Sequence, residues 1–320
     1  MIAIIMRTKD RPLLLKRALA DVLAQTSDDW ELHLVNDGGD PHALGRTLEP
    51  FRDALGERLR IIENPTSIGM EAASNAAIRN SRSRYIVVHD DDDTWHPRFL
   101  ERMVGHLEDH PETMGVVAST MLVWERIDGN SVVEFERERF GGGAVDLTLA
   151  SALHYNRFVP ISFVYRRAVH QQIGYFREDL PVVGDYEFHL RFLSAHRIDF
   201  VPGEPLAFWH QRPGLGGVMG NSVIVGRDDH TRFDALLRDE HLRRYAQENG
   251  VGLPLHLTSL IDQRTLDLHH RIDEVLQRLD AVSQRLDHVT ELVPLHGPGA
   301  YVRRFPRSLL NRLVRLFRRR

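Results

Sequence analysis

Tyr85-Ile86-Val87-Val88-His89-Asp90-Asp91-Asp92-Asp93-Thr94-Trp95 joins a short apolar run to four consecutive carboxylates. The run reads as a strand, and the acids stand at its carboxyl end. Carboxylates packed side by side raise one another's pKa and repel strongly at low dielectric, so such a cluster calls for a cation. Oxygen-only ligands favour a hard divalent ion, Mg2+ or Mn2+, which keeps coordination positions open for phosphate oxygens. A plainer role also suits these residues, because Asp and Thr cap helices well and Pro97 suits the first turn of a helix starting near His96.

Working outward, strand-like runs alternate with helical patterns: Ile2 to Met6 then Leu13 to Leu23, Glu31 to Val35 then Leu44 to Leu55, Leu59 to Ile62 then Ala72 to Ile78, Tyr85 to Val88 then Phe99 to Leu107, and finally Gly115 to Val123. This is the signature of parallel βαβ units in an α/β fold. Ligands in such folds sit beyond the carboxyl ends of the strands. Polar residues gather there: Thr8, Asp10 and Arg11 after the first strand, Asn36 and Asp37 after the second, Asn64 after the third, and the aspartates after the fourth. Four strand ends therefore point at one crevice.

A chain of 320 residues with a 42% apolar share suits one domain of more than 200 residues with an appendage. The absence of cysteine excludes disulfides and thiolate metal sites and fits a reducing compartment. Met1 to Met6 reaches Arg7 without a basic leader, so it reads as a first strand and not a signal peptide. Apolar runs are too short to span a bilayer. The net charge of −4 conceals an asymmetry, since Arg303 to Arg320 holds eight arginines and no acid. Residues 1 to 302 are left with 33 basic against 45 acidic residues, a charge of −12.

The stretch after residue 125 is less regular, with a Gly141-Gly142-Gly143 turn, a helical pattern from Val183 to Leu193 and short strands near Phe200 and Ala207. Gly214, Gly216, Gly217 and Gly220 follow Trp209-His210 and suit either a lid or a connector. From Ile261 onward the pattern is heptad. Ile272, Leu279, Leu286 and Val293 take one seam position, and Leu268, Val275, Val282 and Val289 the other, which predicts a coiled coil over residues 255–293. Leucine at a with β-branched residues at d favours a homo-trimer or tetramer over a dimer, assembled through residues 261–293. In residues 300–320, Leu309, Leu310, Leu313, Val314 and Phe317 share one face and arginines the rest, the pattern of a basic amphipathic helix on an anionic membrane surface. That apolar face, without interleaved aromatics, argues against nucleic acid as the partner.

Taken in order, several elements resemble a family 2 glycosyltransferase of GT-A fold over residues 1 to about 225. They are Arg7-Thr8-Lys9-Asp10-Arg11-Pro12, Leu34-Val35-Asn36-Asp37-Gly38-Gly39, Asn64 to Asn75 with Gly69, the aspartates with Trp95, Gly174-Tyr175-Phe176, Gly184-Asp185-Tyr186-Glu187 with Arg191, and Trp209-His210. The resemblance implies a Rossmann-like, mainly parallel sheet flanked by helices, in a domain of residues 1–250 with a nucleotide-sugar half (1–125) and an acceptor half (126–225). It implies a metal-dependent inverting transfer of sugar from a nucleotide-diphosphate donor to a hydroxyl of an acceptor, and together with the basic amphipathic tail it points to a glycan or lipid-linked acceptor in cell-surface polysaccharide or glycolipid synthesis at the inner face of the cytoplasmic membrane. Thr8, Arg11, Asp37, Asn75, Asp90 and Asp91 would meet the nucleotide sugar. Asp90 and Asp92, the D-x-D pair, would hold Mn2+ or Mg2+ with His210 as a further ligand, while Asp91 is out of phase with that pair. Asp185 would be the catalytic base, Glu187 the fallback, with Asp93 and Arg191 in support. One position departs from the pattern: the family commonly has Glu before this aspartate, and here it is Gly184.

Two other readings compete. A nucleotidyltransferase would also place metal-bound carboxylates at strand ends, but it ordinarily has a Gly-rich loop after the first strand, and Thr8 to Pro12 has no glycine. A non-catalytic membrane-associated assembly module would rest on the coiled coil and tail alone.

Overall fold

The computed structural model describes residues 1–292 apart from 130, 144–146 and 222–226. The chain divides into two compact units, Met1–Glu240 and His241–Arg320. In the first unit the strands are β1 (Ile2–Thr8), β2 (Trp30–Asp37), β3 (Leu59–Asn64), β4 (Tyr85–Val88), β5 (Thr94–Trp95), β6 (Gly115–Ala118), β7 (Thr120–Asp128), β8 (Ser131–Arg139), β9 (Phe163–Arg166), β10 (Ile198–Val201) and β11 (Ala207–Gln211).

A seven-stranded sheet has the order β10-β6-β9-β4-β1-β2-β3. Ile4 at its centre stands opposite Leu32 of β2 and Val87 of β4, both in parallel register. Burial on both faces explains why β1 is apolar at nearly every position. Ile2, Ile4 and Met6 pack on one face against the helices Pro12–Leu23 and Phe99–Asp109, through Leu15, Leu19, Phe99 and Met103. Ala3 and Ile5 pack on the other, with Ala73, Ala77 and Ile78 of the helix Met70–Asn80 and Phe188 and Phe192 of the helix Gly184–Ala195. Each Leu or Ile taken fully out of water contributes about 1.5–3 kcal/mol. The sheet is thus held on both sides.

Two features differ from the simple alternation. β9 inserts antiparallel between β4 and β6, so the sheet is mainly and not wholly parallel. The run Gly115 to Val123 is two strands and not one. At Ser119 the backbone leaves the large sheet: its N–H reaches Val201 while its carbonyl accepts from Leu206 and Ala207. β7 then enters a second sheet of order β5-β11-β7-β8. Here β11 runs parallel to β7, and β8 returns antiparallel with a bulge between Trp124 and Glu125. A bulge re-aims the side chain that follows it, and Glu125 is fully buried.

Within the second unit, Gly252–Leu292 is one helix of 41 residues. Its seam side chains stand in solvent, with Leu268 57%, Val275 54%, Leu279 49% and Val282 51% exposed. The side chain of Val289, together with Val293 and the basic stretch of residues 300–320, lies outside the described residues. Among those residues, no helix is long and apolar enough to cross a membrane.

Candidate active site

Asp37 ends β2 and organises the loop that follows β3. It accepts from the Asn64 amide at 2.9 Å, the Ser67 hydroxyl at 2.6 Å and the backbone N–H groups of Ile68 and Gly69 at 2.9 and 3.2 Å. Burial alone would push its carboxyl up, but these donors hold it below the usual range. The neighbouring Gly38 has φ of +79°, and a Cβ there would stand 2.4 Å from the Ser67 nitrogen. Only glycine lets the two loops close on each other.

The aspartate cluster is neutralised by arginines from elsewhere in the fold. Arg7, at the end of β1, grips Asp90 through both Nη2 and Nε, the latter at 3.1 Å. Arg11 binds the buried Asp91 at 2.5 Å and reaches Asp92 at 3.3 Å. Thr8 donates its hydroxyl to Asp91 at 2.6 Å. Arg212, wholly buried, closes on Asp92 and on Glu125, the latter at 2.7 Å. Much of the positive charge that four adjacent carboxylates require is therefore built into the chain. Asp91, pushed up to about 6 by burial despite Arg11, faces inward and holds Thr8 and Arg11 in place. Asp93 accepts from the His210 backbone N–H at 2.8 Å and so ties the turn to β11.

His210 does not point into the cleft. Its Nδ1 meets Glu125 at 2.7 Å and its Nε2 meets the Thr94 hydroxyl at 2.8 Å, so both ring nitrogens are committed one row behind the aspartates. Among the described residues no group of three His, Asp or Glu side chains surrounds a cation position. Asp90 and Asp92, both on the cavity wall, nonetheless offer a pair of oxygen ligands. That suits Mg2+ or Mn2+, which are bound by one or two carboxylates and complete their shell with phosphate oxygens and water.

Asp185 lies in the first turn of Gly184–Ala195. Val183 before it has φ of +59°, a left-handed conformation that is strained for a β-branched residue. The Asp185 carboxylate accepts from the Asn156 amide at 2.8 Å, and the Asn156 oxygen faces Nδ1 of the buried His189 at 2.9 Å. Burial drives His189 down to about 3, so the ring is neutral. Burial likewise pushes Asp185 up, opposed by the Tyr186 N–H, His230, Asn156 and Arg7. Glu187 is paired with Arg191 through two contacts of 2.7 Å, and Arg191 also donates to the Tyr175 carbonyl at 2.8 Å. The pair braces the Gly174-Tyr175 turn and does not line the cleft. Asn75 is also set back: fully buried, it bonds both the N–H and carbonyl of Phe176 and the Glu178 carboxylate.

Two cavities meet at this point. One, of about 520 Å³, is lined by Thr8, Arg11, Asp37, Asp92 and Asp93. The other, of about 590 Å³, is lined by Asn156, Asp185, Tyr186 and the aromatic side chains of Phe140, Phe158 and Phe176. Arg7, Met70, Asp90 and Trp209 belong to both. Glu71 stands beside Asp185 in the second cavity, and burial, with Asp185 and Asp90 against Arg7, pushes its carboxyl up to about 7.

The family model described as glycosyl transferase family 2 matches residues 3–174. The chain belongs to this family. This glycosyltransferase is 25% identical over 253 residues to an uncharacterized glycosyltransferase, YwdF, of Bacillus subtilis (strain 168), covering 78% of this chain and 85% of that protein. Over 107 residues it is 34% identical to the putative colanic acid biosynthesis glycosyl transferase WcaA of Escherichia coli (strain K12), covering 33% of this chain and 37% of that one. The crystal structure of S. aureus TarS 1-349 in complex with UDP-GlcNAc superposes with a TM-score of 0.54 at 18% identity, over 79% of this chain and 75% of the other. The fold of the glycosyltransferase is therefore GT-A.

Sequence reasoning did not reach Glu71, Glu125, Asn156, His189 or Arg212. The excess of acids at the strand ends was a signal that buried arginines had to answer them, but not which ones. Asn156 carried no signal, because its partners lie about thirty residues away.

Proposed function

We propose that this glycosyltransferase is metal-dependent and inverting, and that it moves a sugar from a nucleoside-diphosphate donor to a hydroxyl of a glycan or lipid-linked acceptor in cell-surface polysaccharide or glycolipid synthesis. The observation that carries this reading is the junction at Asp90 of two cavities, one walled by Asp92 and the other by Asp185. Donor fills the first cavity, its base and ribose toward Thr8 and Asp37 and its diphosphate toward Arg7, Arg11, Asp90 and Asp92. Acceptor fills the second, its apolar faces against Phe158, Phe176 and Trp209.

In the transfer, the acceptor oxygen forms a bond to the anomeric carbon from the face opposite the diphosphate, and the bond from that carbon to the phosphate oxygen breaks. Asp185 takes the hydroxyl proton, general-base help worth about 10²- to 10⁴-fold. Asn156 keeps the carboxylate aimed, since the neutral His189 fixes which end of the amide faces it. Arg7 and Arg11 keep full positive charge at every working pH and lie where negative charge grows on the leaving diphosphate. Asp90 and Asp92 would hold Mn2+ or Mg2+, whose chemistry is to offset that same charge as a Lewis acid. His210 holds Thr94 and Glu125 behind them.

Residues 255–293 serve as an oligomerisation helix in this reading, and residues 300–320 bring the enzyme to the anionic inner face of the cytoplasmic membrane. WcaA, by its name a colanic acid biosynthesis enzyme, supports the polysaccharide assignment. The test is a panel of nucleotide sugars with and without Mn2+, with the product's anomeric configuration read by NMR. Inversion and loss of turnover on chelation are expected; retention, or full turnover by Asp92→Ala, sinks the proposal.

A further inference from the structure

Glu71 lies in the first turn of the helix Met70–Asn80, next to the shared Met70, and lines the cavity that holds Asp185. Its side chain fills the space above Gly184 so closely that a Cβ on residue 184 would stand 2.3 Å from Oε1, 2.4 Å from Cγ and 2.7 Å from Cδ. Real Cβ atoms essentially never sit so close, so a side chain at residue 184 would displace the Glu71 carboxyl, and glycine there lets that carboxyl lie on the start of the Asp185 helix. On its other side Glu71 Oε2 accepts from Arg7 Nη1 at 3.3 Å, and the same nitrogen donates to the Met70 carbonyl at 3.2 Å. The remaining prong of Arg7 holds Asp90. An unbroken contact path thus runs from Asp90 through Arg7 and Glu71 to Gly184, one residue before Asp185. Glu71 is buried, and nothing in the transfer itself uses it.

We propose that Glu71 is a positioning residue: it fixes Arg7 over the donor phosphates and sets the start of the Asp185 helix, so that the base and the leaving group keep one separation. The inference rests on the transferase reading above. A misplacement of about 1 Å between reacting groups can cost about 10²-fold in rate, which sets the expected size of the effect.

The experiment compares wild type, E71A, E71Q, G184A and E71A/G184A by thermal unfolding and by steady-state turnover of a nucleotide sugar that wild type accepts. E71A is expected to fold, to lose about 10²-fold in kcat and to keep its donor KM within about threefold. G184A is expected to lose both stability and turnover, because the new methyl meets the Glu71 carboxyl. In E71A/G184A the space is open again, so stability recovers while kcat stays at the E71A level. If E71A does not fold, E71Q, which keeps the shape and drops the charge, carries the test with an expected loss of at least about tenfold. Wild-type kcat in E71A, E71Q or the double variant overturns this proposal alone. A wild type that turns over no nucleotide sugar overturns the transferase reading and this one with it.

Discussion

Arg212 closes its guanidinium on the Asp92 carboxylate with no surface left in solvent, while its other prong holds Glu125 at 2.7 Å. The two residues lie 120 positions apart, and their pairing locks the segment after β11 to the aspartate turn. Removing the cation leaves two buried carboxylates short of a partner. Arg212→Met is expected to cost about 3–5 kcal/mol of unfolding free energy, as breaking a buried ion pair does, and urea denaturation measures it. An unchanged midpoint would mean that Arg11, 3.3 Å from Asp92, and Arg17, which pairs with Glu125 at 2.6 Å, suffice.

Asp185→Asn should fold normally and bind donor, but lose about 10²- to 10⁴-fold in kcat. Because burial raises the Asp185 pKa, its basic form is populated only above the ordinary aspartate range. The rate must therefore fall toward acid with a midpoint higher than that of a free aspartate, and the pH profile of kcat reports it.

Asn156→Ala takes away a donor that favours the charged form of Asp185. The carboxyl then titrates higher still, and the acid limb of the pH profile should move up, because the lost hydrogen bond favoured the charged form. A loss of rate with an unmoved limb would assign Asn156 to packing alone.

Stability in acid should depend on Glu125. Burial opposes its charge, but hydrogen bonds from His210 and Arg17 hold it down to about 2, below the usual 4.5 of a glutamate. A depressed carboxylate contributes stability that is complete above the unfolded pKa and is lost as pH falls through the folded one, here between about 4.5 and 2. By that shift the contribution is about 3 kcal/mol. Comparing Glu125→Gln with wild type by thermal unfolding at pH 6 and pH 3, the gap should narrow at the lower pH.

Leu279, half exposed on the long helix, sits at the centre of the heptad seam. Leu279→Asp should convert an oligomer to a monomer in sedimentation equilibrium without changing turnover on a soluble acceptor. A wild-type monomer would remove the seam's assigned purpose.

The strand-helix alternation was legible because β1 and β4 are buried on both faces and so are apolar throughout. The strand-end position of Thr8, Asp37 and the aspartates followed from it. The antiparallel β9 was not legible, since Phe163 to Arg166 has no distinguishing period and its place depends on the hairpin before it. The arginine partners were hidden for a related reason: Arg212 and Asp92 are brought together by the antiparallel pairing of β5 with β11, strands far apart in sequence. His210 and Asn75 were expected to face ligand, but hydrogen bonds inside the fold engage them first, which residue type alone does not reveal.

Among the described residues, Arg7, Met70, Asp90 and Trp209 alone are common to the two cavities. If the first cavity takes the donor and the second the acceptor, as proposed, substitutions around Asp37 and Ser67 retune nucleotide choice and substitutions around Phe158 and Phe176 retune the acceptor, each without disturbing the other. Evolution, or an engineer, has two nearly independent dials. Any change at the four shared positions turns both at once.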